Sequence, residues 1–391
     1  MNSILFTPAS LGPLRLRNRS IRAAAFEGMC PGHLVSDELI RYHTAVAAGG
    51  IGMSTVAYAS VTRDGLSFPH QLLISPEAIP GLRRLTDAVH REGAAAGLQI
   101  GHCGLMAKRS VAGDCIAPSG RPNLYGPTWP RRMTGDDISR VISGFGQAVL
   151  LAREAGFDAV EVHAGHGYLV SQFLSPYTNK RKDAYGGSLA NRSRFMEAVI
   201  NRVMEAAGAD LAVVVKMNMY DGFPGGMELP ESLEVARKLE RLGVHGLVLS
   251  GGFVSKAPMH VMRGRIPVRV MARYMENPFM RVATALFGGF LIREVPFRDL
   301  YFLDDARQFL KTVRLPLIYV GGIKSLGSIE KVLSEGFSFV QIARALVHDP
   351  GFIGKLVTRE VETSGCDTAN YCIARIYSGS MVCHQHNPGG G

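Results

Sequence analysis

Eight short runs of continuously apolar residues recur along the chain, separated by longer segments with the spacing of amphipathic helices. The runs are Ile21–Phe26, Ile51–Ala57, Ala95–Ile100, Ala159–His163, Leu211–Asn218, Gly246–Ser250, Pro316–Val320 and Phe339–Ala343. Strands covered on both faces of a parallel sheet are apolar at successive positions, so the runs predict buried parallel strands. The clearest intervening helix follows Thr134, with apolar residues three and four apart up to Ala152.

Eight strands that alternate with helices favour a (β/α)8 TIM barrel. An open doubly wound sheet is the alternative, but it requires a glycine-rich turn after the first strand. Here the first strand leads into Ala24-Ala25-Phe26-Glu27-Gly28, which is not a glycine-rich turn. We therefore expect a barrel over residues 1–360, with a long insertion at about 253–302 between strands six and seven, and a cysteine-containing tail over 361–391.

The composition narrows the class of protein. With 391 residues, 47% of them hydrophobic and 19% charged, the chain can fill a large core and is not disordered. Six cysteines are too sparse for a disulfide scaffold. The N-terminus has no signal-peptide pattern, and the uncharged stretch 42–62 contains many polar residues, so we expect a cytoplasmic protein without a membrane span.

The net charge of +10 is unevenly distributed. Between Lys256 and Asp299 there are eight basic and three acidic residues, so half of the excess lies in the insertion. The chain has no helix–turn–helix or zinc-finger pattern, which argues against nucleic acid. One interpretation is a solvated covering layer or subunit contact; another is a lid that receives a phosphorylated partner through Arg263 and Arg265.

Several polar residues follow predicted strands, at the barrel end where ligands bind. Barrels often hold phosphate after strands seven and eight. Strand seven is followed by Gly321 and Gly322, and strand eight ends at Ala343 and is followed by Arg344.

Strand four ends at His163 and is followed by His166 and Tyr168. These side chains suggest hydrogen-bond donors to a substrate oxygen. A metal site is the alternative, but the sequence offers no third ligand. Lys216 lies within an apolar run and is either part of a structural ion pair or a cation facing an anionic cofactor.

Two longer segments carry a more specific signal. The runs 172–181 (QFLSPYTNKR) and 183–192 (DAYGGSLANR) resemble the signature of the Old Yellow Enzyme family of FMN-dependent NAD(P)H:flavin oxidoreductases, which includes 2,4-dienoyl-CoA reductase. Supporting matches are 5–8 (LFTP), Asn18-Arg19 and 99–104 (QIGHCG). The resemblance runs from about residue 5 to residue 350. It implies the short form of the family, without the C-terminal dinucleotide-binding domains.

The resemblance also implies roles for individual residues. His163 and His166 would bind a substrate carbonyl oxygen, and Tyr168 would donate a proton. Gln99 and Lys216 would contact the flavin ring. The remaining FMN contacts implied are Ala24, Ala25, Ala57, Gly321, Gly322, Ala343 and Arg344.

The sequence departs from the family pattern at three places. Ala25 and Phe26 stand where a Thr or Cys often bonds the flavin, and Leu105 replaces a common arginine. Ala369 replaces one of four cysteine ligands of the iron–sulfur site found in longer relatives, leaving Cys366, Cys372 and Cys383. Three cysteines favour a remnant or a structural tail over an intact cluster.

The leading hypothesis is an FMN-dependent ene reductase that takes hydride from NADPH or NADH and acts on an enone or enoyl thioester. A second hypothesis is a flavin-dependent dehydrogenase or amine oxidoreductase that works in the oxidative direction. A third is a flavin-free, metal-dependent lyase or hydrolase. We expect a small-molecule substrate, a homo-oligomer, and no nucleic-acid or membrane partner.

Overall fold

The computed structural model describes residues 3–122, 128–275, 278–291, 294–375 and 379–386. Eight parallel strands close into a barrel, each hydrogen-bonded to the next in chain order and the last to the first. They are β1 Ser20–Arg22, β2 Met53–Ser60, β3 Ala95–Gly101, β4 Ala159–Ala164, β5 Ala212–Asn218, β6 Gly246–Ser250, β7 Leu317–Val320 and β8 Phe339–Ile342. Every predicted strand overlaps one of these, and the predicted barrel is confirmed.

A helix follows each strand on the outside of the barrel. These are α1 Asp37–Ala48, α2 Ile79–Arg91, α3 Gly135–Glu154, α4 Leu189–Ala207, α5 Leu229–Arg241, α6 Leu303–Leu310, α7 Leu326–Ser334 and α8 Phe352–Thr358. Shorter or additional helices are Arg109–Ala112, Leu169–Leu174, Val268–Arg273, Pro278–Leu291, Arg344–His348 and Tyr371–Arg375.

The predicted start of α3 is confirmed. The Thr134 hydroxyl accepts from the Asp137 N–H, and the Asp137 carboxylate accepts from the Thr134 N–H.

The barrel interior changes from apolar to polar along the strands. Near the amino ends, a cluster that includes Ile21, Met53, Val214 and Phe339 fills the interior. An antiparallel hairpin of Ala9–Leu11 and Leu14–Leu16 packs into the same cluster and closes that end of the barrel. Two residues further along the strands, polar side chains occupy the inward positions. A polar binding site can therefore form only at the carboxyl ends of the strands.

The long connection between β6 and β7 contains the predicted insertion. Its first and last segments approach the carboxyl end of the barrel, where Val254, Val261 and Tyr301 line a cleft. The helix Pro278–Leu291 lies away from the cleft, and its Phe290 is 99% exposed. Only parts of the insertion therefore cover the barrel end.

The tail was expected as an appendage, but its described part packs against both the barrel and the insertion. The Met381 N–H donates to the Glu27 carbonyl, and the Asn370 amide donates to the carbonyls of Met262 and Arg265. Residues 376–378 and 387–391 of the predicted tail lie outside the described residues.

Within the described residues, no helix combines the length and the apolar character needed to cross a bilayer.

Candidate active site

A cleft of about 1560 Å³, measured out to open solvent, occupies the carboxyl end of the barrel. It brings together all but one of the residues that the sequence nominated for the site. Those lining it are Ala24, Ala25, Gln99, His163, His166, Tyr168, Lys216, Gly321, Gly322, Ala343 and Arg344. Ala57 is the exception: it lies behind the wall, where its N–H donates to the Glu27 carboxylate.

The floor of the cleft is organised by one buried carboxylate, Glu161. Lys216 Nζ lies 2.8 Å from Glu161 Oε1, and both side chains are nearly inaccessible. Gln99 Nε2 donates to Glu161 Oε1 and Gln341 Nε2 to Glu161 Oε2, each at 2.6 Å. The four groups come from β3, β4, β5 and β8. The ion pair joins the neighbouring strands β4 and β5, and the hydrogen bond from Gln341 links Glu161 across the barrel to β8. The expected buried partner of Lys216 is therefore Glu161.

Glu161 also fixes how the two glutamine amides are oriented. A carboxylate only accepts hydrogen bonds, so Gln99 and Gln341 present their NH₂ groups to it and leave their carbonyl oxygens as acceptors. Gln341 Oε1 is buried without a partner among the described residues. A buried acceptor in that state calls for a donor from a ligand. Two acceptors beside the Lys216 cation fit the edge of a flavin ring, which presents both N–H and carbonyl groups.

The two histidines lie above this floor and are neutral. Burial, with smaller contributions from His166 and Lys216, holds the pKa of His163 well below its usual range. Burial and Lys216 lower the pKa of His166 to about 3. The Gly165 N–H donates to His163 Nδ1 at 3.4 Å, which leaves the ring proton on Nε2. The rings of His163 and His166 are perpendicular, with centroids 5.1 Å apart, so the pair forms one polar wall.

The loop after β4 holds His166 in an uncommon conformation. Its φ of 57° lies in the left-handed region, and its N–H donates to Asn218 Oδ1 at 2.9 Å. Its Nε2 lies 2.7 Å from Ser250 Oγ. Gly167 next to it has a φ of 79°, and a Cβ there would come within 2.4 Å of the Phe253 ring. This packing anchors the histidine loop to the start of the insertion.

An aromatic wall faces the histidines. The Tyr168 ring lies 4.3 Å from that of His163 and 5.0 Å from that of Tyr58. Phe26 stacks on Phe68 with ring centroids 5.0 Å apart. Neither Tyr58 nor Phe68 was predictable as a site residue, since aromatic residues in apolar segments are mostly core.

The carboxyl ends of β7 and β8 form a cationic corner. Gly321 and Gly322 have φ values of 126° and 74°, and a Cβ at either would come within 2.7 Å of neighbouring atoms. Lys324 and Arg344 line the same part of the cleft and lie over the Phe297 ring. A closely approaching backbone and two cations suit the phosphate of FMN.

Two arginines of the insertion, Arg263 and Arg265, were predicted to receive a phosphorylated partner. Arg263 lies 4.3 Å from the centre of the Tyr301 ring, and its carbonyl accepts from Arg344. Its Nε is buried and has no hydrogen-bond partner in the part of the chain that the structure describes. Neither Arg263 nor Arg265 lines the cleft. Arg263 is linked to the corner only through the hydrogen bond that its carbonyl accepts from Arg344.

A second buried ion pair supports the wall formed by Ala24 and Ala25. Arg22 donates to Glu27 Oε1 at 2.6 Å and to the carbonyls of Thr55 and Ala25. Because Glu27 also accepts from the Ala57 N–H, this pair fixes two backbone segments predicted to contact flavin. A charged residue inside an apolar run could have flagged Arg22 and Glu161, as it flagged Lys216.

The metal interpretation of the histidines finds no support. In the described ranges, no third His, Cys, Asp or Glu side chain groups its ligand atom with those of His163 and His166. Zinc sites use three or four protein ligands.

Comparison with known proteins identifies a matching family and several similar proteins. A family model described as "NADH:flavin oxidoreductase / NADH oxidase family" matches residues 4–284. The chain is 43% identical over 380 residues to the 4,4'-dithiodibutanoate disulfide reductase of Rhodococcus erythropolis, covering 96% of this chain and 94% of that protein. It is 35% identical over 271 residues to an NADPH dehydrogenase of Geobacillus thermodenitrificans, covering 68% of this chain and 77% of the relative.

A solved structure of morphinone reductase in complex with tetrahydroNAD shares the fold. It superposes with a TM-score of 0.74 at 21% identity, covering 97% of this chain and 95% of the other.

Proposed function

Since the chain belongs to the NADH:flavin oxidoreductase / NADH oxidase family, and is thus a flavin-dependent oxidoreductase, we propose that it reduces the electron-poor C=C bond of an α,β-unsaturated carbonyl compound with NAD(P)H. Membership confirms the resemblance to Old Yellow Enzyme and supports FMN and NAD(P)H as cofactors. One observation carries the choice of acceptor: two neutral imidazoles and a phenol face the same part of the cleft.

The residues that would hold FMN form two groups. Gln99 and Lys216 would bind the ring edge, with Gln341 as an additional acceptor. The phosphate would lie at Gly321, Gly322, Ala343 and Arg344, and Ala24 and Ala25 would line the ring. Bound FMN supplies two-electron chemistry, the uptake of a hydride from NAD(P)H and its delivery to an acceptor.

The histidines would act on the carbonyl oxygen of the substrate. Neutral imidazole N–H groups donate hydrogen bonds without adding a charge that titrates near neutral pH. As the carbonyl oxygen gains negative charge during reduction, these bonds strengthen and draw electron density from the β-carbon.

Tyr168 completes the reaction. Its hydroxyl would give a proton to the α-carbon while the β-carbon receives hydride, so the substrate gains two electrons and two hydrogens. The phenol then recovers its proton from solvent.

The test separates the two half-reactions. In the His163→Ala/His166→Ala variant, anaerobic NADPH should still bleach the flavin, while turnover of 2-cyclohexenone falls by a factor on the order of 100 to 10,000. Tyr168→Phe should also slow turnover without preventing bleaching. His90→Ala, on α2 outside the cleft, is the matched control. Full enone turnover in the double variant would remove the histidines from the mechanism.

A second candidate acceptor is a small disulfide, favoured by the 43% identity to a disulfide reductase across nearly its whole length. Reduction would convert one disulfide, one NAD(P)H and one proton into two thiols and NAD(P)⁺. Burial raises the pKa of the Cys103 thiol near the cleft to about 12, so a thiolate from Cys103 is not the attacking group. Comparing kcat/KM for 4,4'-dithiodibutanoate with that for 2-cyclohexenone on one preparation decides between the two acceptors.

A further inference from the structure

A group of metal-ligating side chains lies outside the cleft, where the tail meets the barrel. His348 ends the short helix after β8, and Cys383 and His386 belong to the tail. Cys383 Sγ lies 3.5 Å from His348 Nδ1, and the rings of His348 and His386 are 4.7 Å apart. One ligand atom from each of the three residues lies within 4.8 Å of the other two. None of them lines the cleft, so the proposed oxidoreductase chemistry does not explain why they meet.

We propose that His348, Cys383 and His386 bind a single zinc ion that fastens the tail to the barrel. This inference is independent of which acceptor the enzyme reduces.

The spacing of the ligand atoms suits tetrahedral zinc. With Zn–N bonds of about 2.0 Å and a Zn–S bond of about 2.3 Å, a tetrahedral site places nitrogen and sulfur about 3.5 Å apart. The observed separation of His348 Nδ1 and Cys383 Sγ is 3.5 Å. His386 is exposed and the other two are partly buried, so solvent can supply a fourth ligand. Imidazole and thiolate are the ligands that zinc prefers over the harder cations.

The second nitrogen of His348 is also held in place. A Cβ added to Gly365 would lie 2.7 Å from His348 Nε2, so the ring packs directly on the backbone before Cys366. A Cβ at this position would displace the ring, whereas the glycine leaves Nδ1 3.5 Å from Cys383 Sγ.

This ligand set differs from that of an iron–sulfur cluster. A residual cluster would depend on Cys366, Cys372 and Cys383, whereas the zinc site uses only Cys383 of the three. In the parts of the chain that the structure describes, neither Cys366 nor Cys372 joins the group around His348. The dependence on individual cysteines therefore distinguishes the two metals.

The experiment measures metal content of the tag-free, flavin-loaded protein after expression with both zinc and iron and exhaustive desalting. We expect close to one zinc per chain by elemental analysis, falling at least about tenfold in His348→Ala and Cys383→Ser. Gly365→Ala, which only displaces the imidazole, should weaken zinc binding by less than the loss of either ligand. Cys366→Ser and His384→Ala are matched controls that should retain the metal; His384 pairs with Asp367 instead.

Other outcomes overturn the proposal. Wild-type protein without zinc would do so, as would zinc that persists in both ligand variants. Iron with acid-labile sulfide that is lost in Cys366→Ser would assign a cluster instead. If the ligand variants fail to fold, cobalt substitution of the wild type provides the second measurement, since tetrahedral cobalt with a thiolate ligand absorbs at longer wavelengths than flavin. An octahedral cobalt spectrum would also reject the site.

Discussion

The Glu161–Lys216 ion pair makes the sharpest prediction about stability. Lys216→Met would remove the cation and leave the Glu161 carboxylate buried with only two amide donors. At the observed 2.8 Å, an effective dielectric constant of about 20 gives an attraction of about 6 kcal/mol. Part of this is offset because the ammonium group no longer has to be desolvated. Breaking a buried pair from one side costs about 3–5 kcal/mol, and we expect a loss in that range.

A double-mutant cycle isolates the interaction from the rest of the substitution. Glu161→Gln alone leaves the Lys216 cation buried and should also be costly. In Lys216→Met/Glu161→Gln neither charge remains, so the double variant should be more stable than the sum of the two single losses implies. A coupling energy of about 2 kcal/mol or more is expected for groups in direct contact.

The assay is urea unfolding of the flavin-free protein, because Lys216 is also proposed to contact the flavin. Lys238→Met is the matched control: its partner Glu197 is 2.5 Å away, but that pair lies between outer helices and is partly exposed. A loss below about 1 kcal/mol is expected there. The reasoning would be refuted if Lys216→Met cost no more than this control, or if the two single effects simply added.

Three further predictions concern other parts of the fold. Arg22→Met removes the cation that pairs with the buried Glu27 carboxylate and should lower the free energy of unfolding by about 3 kcal/mol or more, measured by urea unfolding. A smaller loss would mean that water compensates the carboxylate. Thr134→Ala removes the cap of α3 and should cost about 1 kcal/mol in the same assay, and an unchanged midpoint would contradict the capping role. Burial lowers the pKa of His163 in the folded protein, whereas the unfolded chain takes up a proton below about pH 6.5, so this residue makes stability fall as the pH is lowered through that range. His163→Asn should therefore lose less stability than the wild type between pH 7.5 and pH 5, and identical pH profiles would rule out this role.

The barrel was predictable because its strands are buried on both faces and therefore read as continuous apolar runs. The same property made Lys216 conspicuous as a charge inside such a run. Its partner was not predictable in the same way, since the pairing depends on which residues of β4 and β5 point inwards and on their register. His163 lies opposite Lys216 in that register, which places Glu161 one inward position below.

Long-range packing explains what the sequence did not show. The aromatic wall joins Tyr58 of β2 to Tyr168 after β4, and no local pattern marks such a contact. The packing of the tail on the barrel likewise depends on contacts between residues far apart in sequence. The roles proposed for individual site residues, and the division of the chain at residue 360, stay predictions.

The position of the tail has a consequence for how the protein is made. Thr368, Ile373 and Met381 form part of the cleft wall, yet they follow all eight barrel strands in the sequence. Chains fold progressively from the N-terminus as the ribosome releases them, so the barrel can form before these residues emerge. During that interval the carboxyl end of the barrel lacks one side of its wall. Docking of Thr368, Ile373 and Met381 therefore narrows the carboxyl end of the barrel only after its eight strands have been synthesised.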